Sequence, residues 1–528
     1  MPILEDSAEA SSDLSGASHS RVAGRRLMLA GIGASYLQSG VAMAAGLITT
    51  RIYVGHLGNT QFGLWLTASS IINYLRLGSN SMSVTGTMRA TRAYACGEDR
   101  EVGSVMVTSG VIGVGFATIS LGLVMLVMAG VTFGDWWRGG HDPQFFMMLC
   151  VLLVLAAGSL VSQFSEVFAG AIRVLQRVDL EQSISAMLRL VLLGAGIAVV
   201  LLGGGVISLA IVTSLHQAGT AFLYWRVTRR AFPDLNLRSS QFDVKIARSI
   251  FAPSLQYCVV AMGSALIWST DNIVISVALG TAAVTPFAVA MQLLSFSNVM
   301  FSTVLNALTH MTTSLHALGE ESRLRGMVLT IAKIGLALEA LLLVGYASFG
   351  QEFLRLWVGP ERVVSLPVFL VLVAIFAIKT FGVLFEMIVL GTLNHKRYSI
   401  LLIFEGLLNL VLSIVLVRRM GLLGVALGTL VAQTVCSGWY LPYVGLRIAG
   451  CRFGELVRCS ILPVLPAIVA AVVVARLFLL LPLEPSWAHL VLGAVATTLA
   501  HASLFLRFGL GPNEKDLLRT IRKRVGWA

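Results

Sequence analysis

LGNTQFGLW, residues 57–65, recurs in altered form as LGTAAVTPF, residues 279–287. A second pair of stretches, TRAYACGED at 91–99 and TSLHALGEE at 313–321, keeps the same spacing. Gly58 and Gly280, like Gly97 and Gly319, are separated by 222 residues. A constant offset across a helix and the loop after it indicates an internal duplication. The sequence therefore predicts two halves with the same order of helices.

The composition indicates a membrane protein. Of the 528 residues, 56% are hydrophobic and 12% are charged, and the mean hydropathy is +0.84. Apolar runs near the length of roughly 20 residues that crosses a bilayer recur along nearly the whole chain, and they lack the alternation of barrel strands. We expect an all-α integral membrane protein with about 14 transmembrane helices, over 27–49, 61–82, 104–130, 145–170, 183–203, 205–225, 251–276, 283–308, 327–349, 366–391, 399–417, 421–444, 460–481 and 488–508.

The duplication divides these helices into two six-helix lobes and an appended pair. An even number of helices in each half makes the two halves enter the membrane in the same direction, as a parallel repeat. The expected segments are a disordered cytoplasmic N-terminus at 1–26, an N-terminal lobe at 27–225, a cytoplasmic linker at 226–250, a C-terminal lobe at 251–446, helices 13 and 14 at 460–508, and a basic cytoplasmic tail at 509–528.

The basic residues of the connectors predict the orientation. Most of the Lys and Arg between apolar runs fall on the side that holds both chain termini. Because positive residues are retained in the cytoplasm, we expect both termini to be cytoplasmic. The same bias accounts for the formal net charge of +12 without nucleic acid as a partner.

One acidic residue, Asp271, lies in the apolar run ALIWSTDNIVISVALG, residues 265–280. A charge at the centre of a spanning helix costs roughly 2.5 to 3.5 kcal/mol, so such residues usually face a cavity or a partner. The matched position in the first half is Thr49. Two interpretations remain open: Asp271 binds a coupling ion, H⁺ or Na⁺, or it only accepts hydrogen bonds near the outer interface.

Of the basic residues within predicted spans, Lys333 and Arg476 can extend to a membrane interface, which leaves three others. Arg76, Arg189 and Lys379 could together form a cationic pocket for a phosphate or pyrophosphate head group, through charge-assisted hydrogen bonds. Three intramembrane acids could neutralise such a pocket, and Lys379 is seven residues from one of them on the same helix face. These acids are Glu166, Glu386 and Glu405.

The motifs of soluble catalysis are missing from the sequence. There is no GxxxxGK[ST] loop, no nucleophile elbow and no HExxH helix, and the six cysteines show no CxxC spacing typical of zinc sites. We therefore expect no enzyme activity, no metal site and no cofactor beyond a coupling ion. GLLGVALG contains Gly424 and Gly428 in a GxxxG pattern, which favours close packing of helices.

Three stretches resemble the polysaccharide and O-antigen flippase branch of the multidrug/oligosaccharidyl-lipid/polysaccharide exporter superfamily. They span most of the duplicated core. They are GHLGNTQFGLWLTASSI, STDNIVISVALGTAAVTPFAVAMQLL and LGTLNHKRYSILLIFEGLLNLVLSIVLVRRMGLLGVALGTLVAQ.

The resemblance implies a flippase of the bacterial inner membrane. It would move a glycan on an undecaprenyl-type pyrophosphate carrier from the cytoplasmic to the periplasmic leaflet, by alternating access coupled to an ion gradient, for lipopolysaccharide or exopolysaccharide. Membrane lipid, the lipid-linked glycan and a polysaccharide polymerase or export complex are the implied partners. Asp271 matches an acid frequent at this place in helix seven. Arg76 stands where relatives often have an acid, and Phe287 where they often have tyrosine.

Other functions are compatible with the same sequence. A cation-coupled antiporter of drugs or organic cations would have the same two lobes but a cavity of acids and aromatic residues. A flippase of the peptidoglycan lipid precursor would be close in mechanism. A noncatalytic membrane scaffold for a glycan-polymerising complex would not need the intramembrane charges.

Overall fold

The structure, a computed structural model, describes residues 6–138, 143–175, 177–231, 241–317, 320–391, 395–482, 484–511 and 515, and these are helical except for short turns and connectors. No β-strand occurs in these ranges. The helices are α1 (Asp6–Leu75), α2 (Leu77–Ala95), α3 (Asp99–Arg138), α4 (Pro143–Val174), α5 (Val178–Leu201), α6 (Val206–Ala231), α7 (Val244–Trp268), α8 (Thr270–Leu279), α9 (Thr281–Ala317), α10 (Glu321–Val358), α11 (Leu366–Gly391), α12 (His395–Met420), α13 (Leu422–Val435), α14 (Ser437–Ile448), α15 (Phe453–Leu456), α16 (Leu465–Leu479) and α17 (Trp487–Leu504).

The helices agree with the predicted membrane segments. Within the described ranges, 11 helices are long and apolar enough to cross a membrane, or 12 if the pair bent by 52° between residues 453 and 479 forms one span. Each of these coincides with a predicted segment from the third to the fourteenth. The first two predicted segments, 27–49 and 61–82, lie on α1 and the start of α2. The prediction of an all-helical membrane fold is confirmed.

Several predicted boundaries differ from the observed ones. α1 begins at Asp6, so residues 6–26, expected to be disordered, continue the first helix, because adding residues to an existing helix avoids the cost of a new nucleus. The expected linker at 226–250 is helical at both ends, since α6 reaches Ala231 and α7 starts at Val244. Residues 232–240 and nearly all of the expected tail at 509–528 lie outside the described residues.

Contacts divide the chain into two compact units. Unit 1 comprises Met1–His56 and Ile71–Ala261, and unit 2 comprises Leu57–Ser70 and Met262–Ala528. The division differs from the predicted lobes at two places: most of α7 packs in unit 1, and a short part of α1 packs in unit 2. In unit 1 the start of α7 joins a core with α2, α3 and α4 through Ile246 and Ile250.

Each copy of the repeated motif breaks the helix at the matched glycine, and in the first copy this break divides α1 into two helical parts. Gly58 has φ 72° and ψ 173°, and Gly280 has φ 91° and ψ 159°. Residues with a side chain rarely adopt positive φ, whereas glycine does so readily. The matched pair of glycines therefore has a structural reason: each sets the sharp turn between two consecutive helices.

The segments after these two turns pack against each other within unit 2. The Thr285 hydroxyl donates to the Asn59 carbonyl at 2.7 Å. A Cβ atom on Gly63 would stand 1.8 Å from the backbone oxygen of Thr281. Only a residue without a side chain allows this contact between the helices.

Replacing Gly63 with alanine is expected to destabilise unit 2. Overpacking a tight contact costs roughly 1 to 3 kcal/mol, and here the clashing atom belongs to the backbone and cannot rotate away. Thermal unfolding of the purified protein in detergent measures the effect. Gly55→Ala is the matched control, since a Cβ atom there meets nothing within 4 Å. Equal melting temperatures for the two variants would contradict the contact.

Candidate functional site

The seventh predicted span is broken beside Asp271. α7 ends and α8 begins two residues later, which places Asp271 in the first turn of α8. Helix ends leave backbone groups without intrahelical partners. The Asn409 side chain on α12 donates to the carbonyl oxygens of Leu266 and Ile267, at 3.4 and 3.3 Å. A side chain from a neighbouring helix thus satisfies carbonyls at the break.

Asp271 belongs to a buried polar group, which we call the Asp271 group and which also contains the Asn409 and Thr429 side chains and the Val425 carbonyl. The carboxylate is 3% exposed; its Oδ2 accepts from the Thr429 hydroxyl at 3.1 Å, and its Oδ1 lies 3.5 Å from Asn409 Nδ2. The same hydroxyl is 3.0 Å from Asn409 Oδ1 and 3.2 Å from the Val425 carbonyl. One hydroxyl proton can serve only one of these acceptors. The group therefore holds more acceptors than donors.

The charge of Asp271 has no counter-ion among the residues that the structure describes. Among the residues that the structure describes, no Lys, Arg or His lies within ion-pair distance of this carboxylate. Burying an ionised carboxylate without a partner is costly. A proton or a small monovalent cation would remove the cost, and the converging oxygens of Asp271, Asn409, Thr429 and Val425 are ligands suited to a hard cation.

Glycines position the helices that carry this group. A Cβ on Gly406 of α12 would lie 2.5 Å from Leu266 Cβ on α7. On α13, a Cβ on Gly424 would lie 2.3 Å from the Leu416 oxygen, and one on Gly428 would lie 2.9 Å from a backbone nitrogen of α12. The predicted close packing at the GxxxG pattern is confirmed. It brings Thr429 and Asn409 to within hydrogen-bond distance.

A second polar cluster in unit 2, which we call the Glu405 cluster, contains Lys379, Glu386, Tyr398 and Glu405. The Lys379 ammonium is 3.5 Å from the Glu386 carboxylate and 5.8 Å from the centre of the Trp268 ring. Glu386 also accepts from the Tyr398 hydroxyl at 2.9 Å. Glu405 accepts from the backbone N–H of Ser437 at 3.0 Å, where the last predicted span of the lobe is broken between α13 and α14. These side chains line a small cavity of about 20 Å³.

A larger cavity, of about 360 Å³, lies within unit 1 and is lined by Arg76, Arg189 and Glu166. Arg173 forms ion pairs with Glu166 at 3.4 Å and with Glu181 at 3.2 Å. In the described part of the chain, neither Arg76 nor Arg189 is in an ion pair within 4.0 Å, and Arg76 Nε is buried without a hydrogen-bond partner. Two cations are thus left to face the cavity.

The expected pocket of three cations is divided between the two units. Arg76 and Arg189 line the cavity of unit 1, whereas Lys379 is held by Glu386 in unit 2. Sequence reasoning missed Asn409, Thr429 and Glu181. Asn409 and Thr429 could have been recognised as polar side chains within the apolar runs of α12 and α13.

The fold and these sites together define a polytopic helical membrane protein with charged groups in the interior of each unit. No protein-family model and no curated protein matches the chain. Solved structures do match it, and they belong to transporters and a flippase, not to enzymes.

Three of these structures show the range of the likeness. The lipid II flippase MurJ, in an inward closed conformation, has a TM-score of 0.67 at 13% identity, over 90% of this chain and 98% of its own. An inward-facing multidrug resistance MATE family transporter of the MOP superfamily has 0.63 at 17%, over 78% and 96%. A MOP superfamily transporter from Pyrococcus furiosus, described as having a binding pocket of reverse polarity, has 0.55 at 16%, over 82% and 96%. The chain has the fold of MOP superfamily transporters.

Proposed function

We propose that the protein is a transporter that flips a lipid-linked oligosaccharide across the bacterial inner membrane, by alternating access coupled to an H⁺ or Na⁺ gradient. The cargo is a polysaccharide or O-antigen precursor on an undecaprenyl-type pyrophosphate, moved from the cytoplasmic to the periplasmic leaflet. The polysaccharide branch rests on the resemblance of three stretches of sequence. The transporter class is supported by the shared fold.

The cavity of unit 1 is the observation that supports an anionic cargo. Arg76 and Arg189 line it, and Arg173 is engaged by the two carboxylates of Glu166 and Glu181. The Ser, Thr and Gln side chains around them supply further hydrogen bonds for phosphate or sugar oxygens. Guanidinium groups bind phosphates through paired N–H donors. A cavity of this composition suits a pyrophosphate head group better than an organic cation.

The observation that supports ion coupling is the Asp271 group. If the burial of the Asp271 carboxylate differs between two states of the protein, the carboxylate binds a proton or a cation more tightly in one state than in the other. Coupling needs such a difference, since a ligand shifts an equilibrium only through its differential affinity for the two states. We therefore assign the coupling ion to Asp271 within this proposal.

Two alternatives keep the same fold. An antiporter of organic cations would use the acids of unit 2, of which Glu405 has no ion pair within 4.0 Å in the described chain. A flippase of the peptidoglycan lipid precursor would use the same arginines, because its carrier is also a lipid pyrophosphate.

A deletion strain distinguishes these functions. We expect loss of the surface glycan and accumulation of lipid-linked oligosaccharide in the inner leaflet, with unchanged resistance to cationic dyes. Restoration by the wild-type gene on a plasmid is the control. Normal glycan export together with lost dye efflux would identify the antiporter, and accumulation of the peptidoglycan precursor would identify the other flippase.

A further inference from the structure

The polar cluster around Glu405 lies one helical turn from the Asp271 group, on the same helices. Glu405 precedes Asn409 by four residues on α12, and Gln433 follows Thr429 by four residues on α13. Four residues rise about 6 Å along a helix and return to the same face. The two clusters are therefore stacked along the helices, and the Glu405 cluster lies nearer to the side that the basic connectors predict to be cytoplasmic.

Within this cluster Glu405 interacts electrostatically with Lys379 but forms no ion pair within 4.0 Å in the described ranges. The groups facing it are Lys379 and Glu386 on α11, Tyr398 on its own helix and Cys436 at the break between α13 and α14. Lys379 pairs with Glu386 at 3.5 Å, and Tyr398 donates to Glu386 as well. The cation of the cluster is thus engaged by Glu386.

Glu405 itself is 2% exposed and accepts from the backbone N–H of Ser437 at 3.0 Å and from the Ser437 side chain. No salt bridge within 4.0 Å reaches its carboxylate in the described ranges. Its negative charge therefore lies at a helix break in the interior of unit 2, where a bound cation would be stabilised.

A second observation points to a ligand. Gln433 is 2% exposed and lines the same cavity, and its Oε1 has no hydrogen-bond partner. A buried carbonyl oxygen without a donor is destabilising. Water or a cation in the cavity would satisfy this oxygen, which lies one helical turn from Thr429 on α13.

We propose that Glu405 and Gln433 form a second station for the coupling cation, through which the ion exchanges between the Asp271 group and one side of the membrane. Lys379 balances the charge of Glu386 in an ion pair, so that the ion meets a single carboxylate without an ion pair on this path. The inference rests on the ion coupling proposed for Asp271 and adds a route to it. The ion occupies the second station only while it exchanges. At equilibrium it is bound at the Asp271 group.

The test measures binding and exchange separately on the full-length protein in nanodiscs. Equilibrium binding of ²²Na⁺ and proton release into weak buffer identify the ion. A rapid-filtration chase then measures the rate at which the bound ion exchanges. Glu405→Gln is expected to keep equilibrium binding within about 3-fold and to slow exchange by about 10-fold, which corresponds to about 1.4 kcal/mol on the barrier. Gln433→Leu is expected to slow exchange less. Glu339→Gln removes another buried acid of unit 2, on α10, and is the matched control.

The outcomes separate this inference from the function on which it rests. Wild-type exchange in Glu405→Gln and Gln433→Leu, with binding lost in Asp271→Asn, overturns the second station alone. Loss of equilibrium binding in Glu405→Gln also overturns it, because Glu405 would then belong to the binding site itself. Wild-type binding in Asp271→Asn, or absence of both Na⁺ and proton binding in the wild type, overturns the proposed coupling and the station with it.

Discussion

Asp271→Asn is expected to abolish glycan export while the protein still folds and reaches the membrane. The amide keeps the shape of the carboxylate and can still contact Thr429 and Asn409, but it offers no negative charge to an ion. A hydrogen bond or ligand contact to a charged group is worth about 1.5 to 3 kcal/mol, which corresponds to about 10- to 100-fold in affinity. Complementation of the deletion strain, scored by surface glycan, measures the effect.

The control for Asp271 is Glu339→Gln, another buried carboxylate that lies outside the Asp271 group. It should export glycan at the wild-type rate and show the same amount of protein in membrane fractions as Asp271→Asn. Thr429→Val, which removes one hydroxyl at 3.1 Å from the carboxylate, should have an intermediate effect. Full export by a normally expressed Asp271→Asn protein would remove this residue from the transport mechanism.

The double substitution of Arg76 and Arg189 by glutamine is expected to weaken binding of the lipid-linked glycan by about 100-fold or more. Each charge-assisted contact to a phosphate contributes about 1.5 to 3 kcal/mol, and the contributions of separate residues add approximately. Glutamine retains hydrogen bonding but not the charge. Binding of a fluorescent undecaprenyl pyrophosphate glycan to the purified protein, at fixed salt concentration, measures the loss.

Arg476→Gln is the control for the arginine pair, because Arg476 lies in the last turn of α16, far along the chain from the cavity of unit 1. It should bind as the wild type does. Arg76→Lys should recover part of the affinity if charge alone is required, and little if paired N–H donors are required. Unchanged binding in the double variant would show that the head group is held elsewhere.

The positions of the helices along the sequence were predictable, because hydropathy and the charge of the connectors depend only on residues that are neighbours in the chain. The matched glycines are an instance: Gly58 and Gly280 were recognised by their spacing alone, and both adopt positive φ. The glycine pattern on α13 likewise predicted a close helix contact, which Gly424 and Gly428 make.

The partners of the charged side chains were not predictable to the same degree. The sequence placed Lys379 and Glu386 on one helix face, and they form an ion pair; yet it grouped Lys379 with two arginines that line a cavity in the other unit. The sequence also singled out Asp271 but not Thr429, which is 158 residues away along the chain.

The sequence by itself determined that this protein is a duplicated bundle of membrane helices with charges in its interior, since burial in lipid demands long apolar segments with satisfied backbones. The tertiary structure alone decided which charges remain free. Helix rotation and the close contacts at Gly63, Gly406 and Gly428 select the faces that meet. An ion pair or a ligand site depends on those faces and on distances of a few ångströms, which spacing along one chain does not specify.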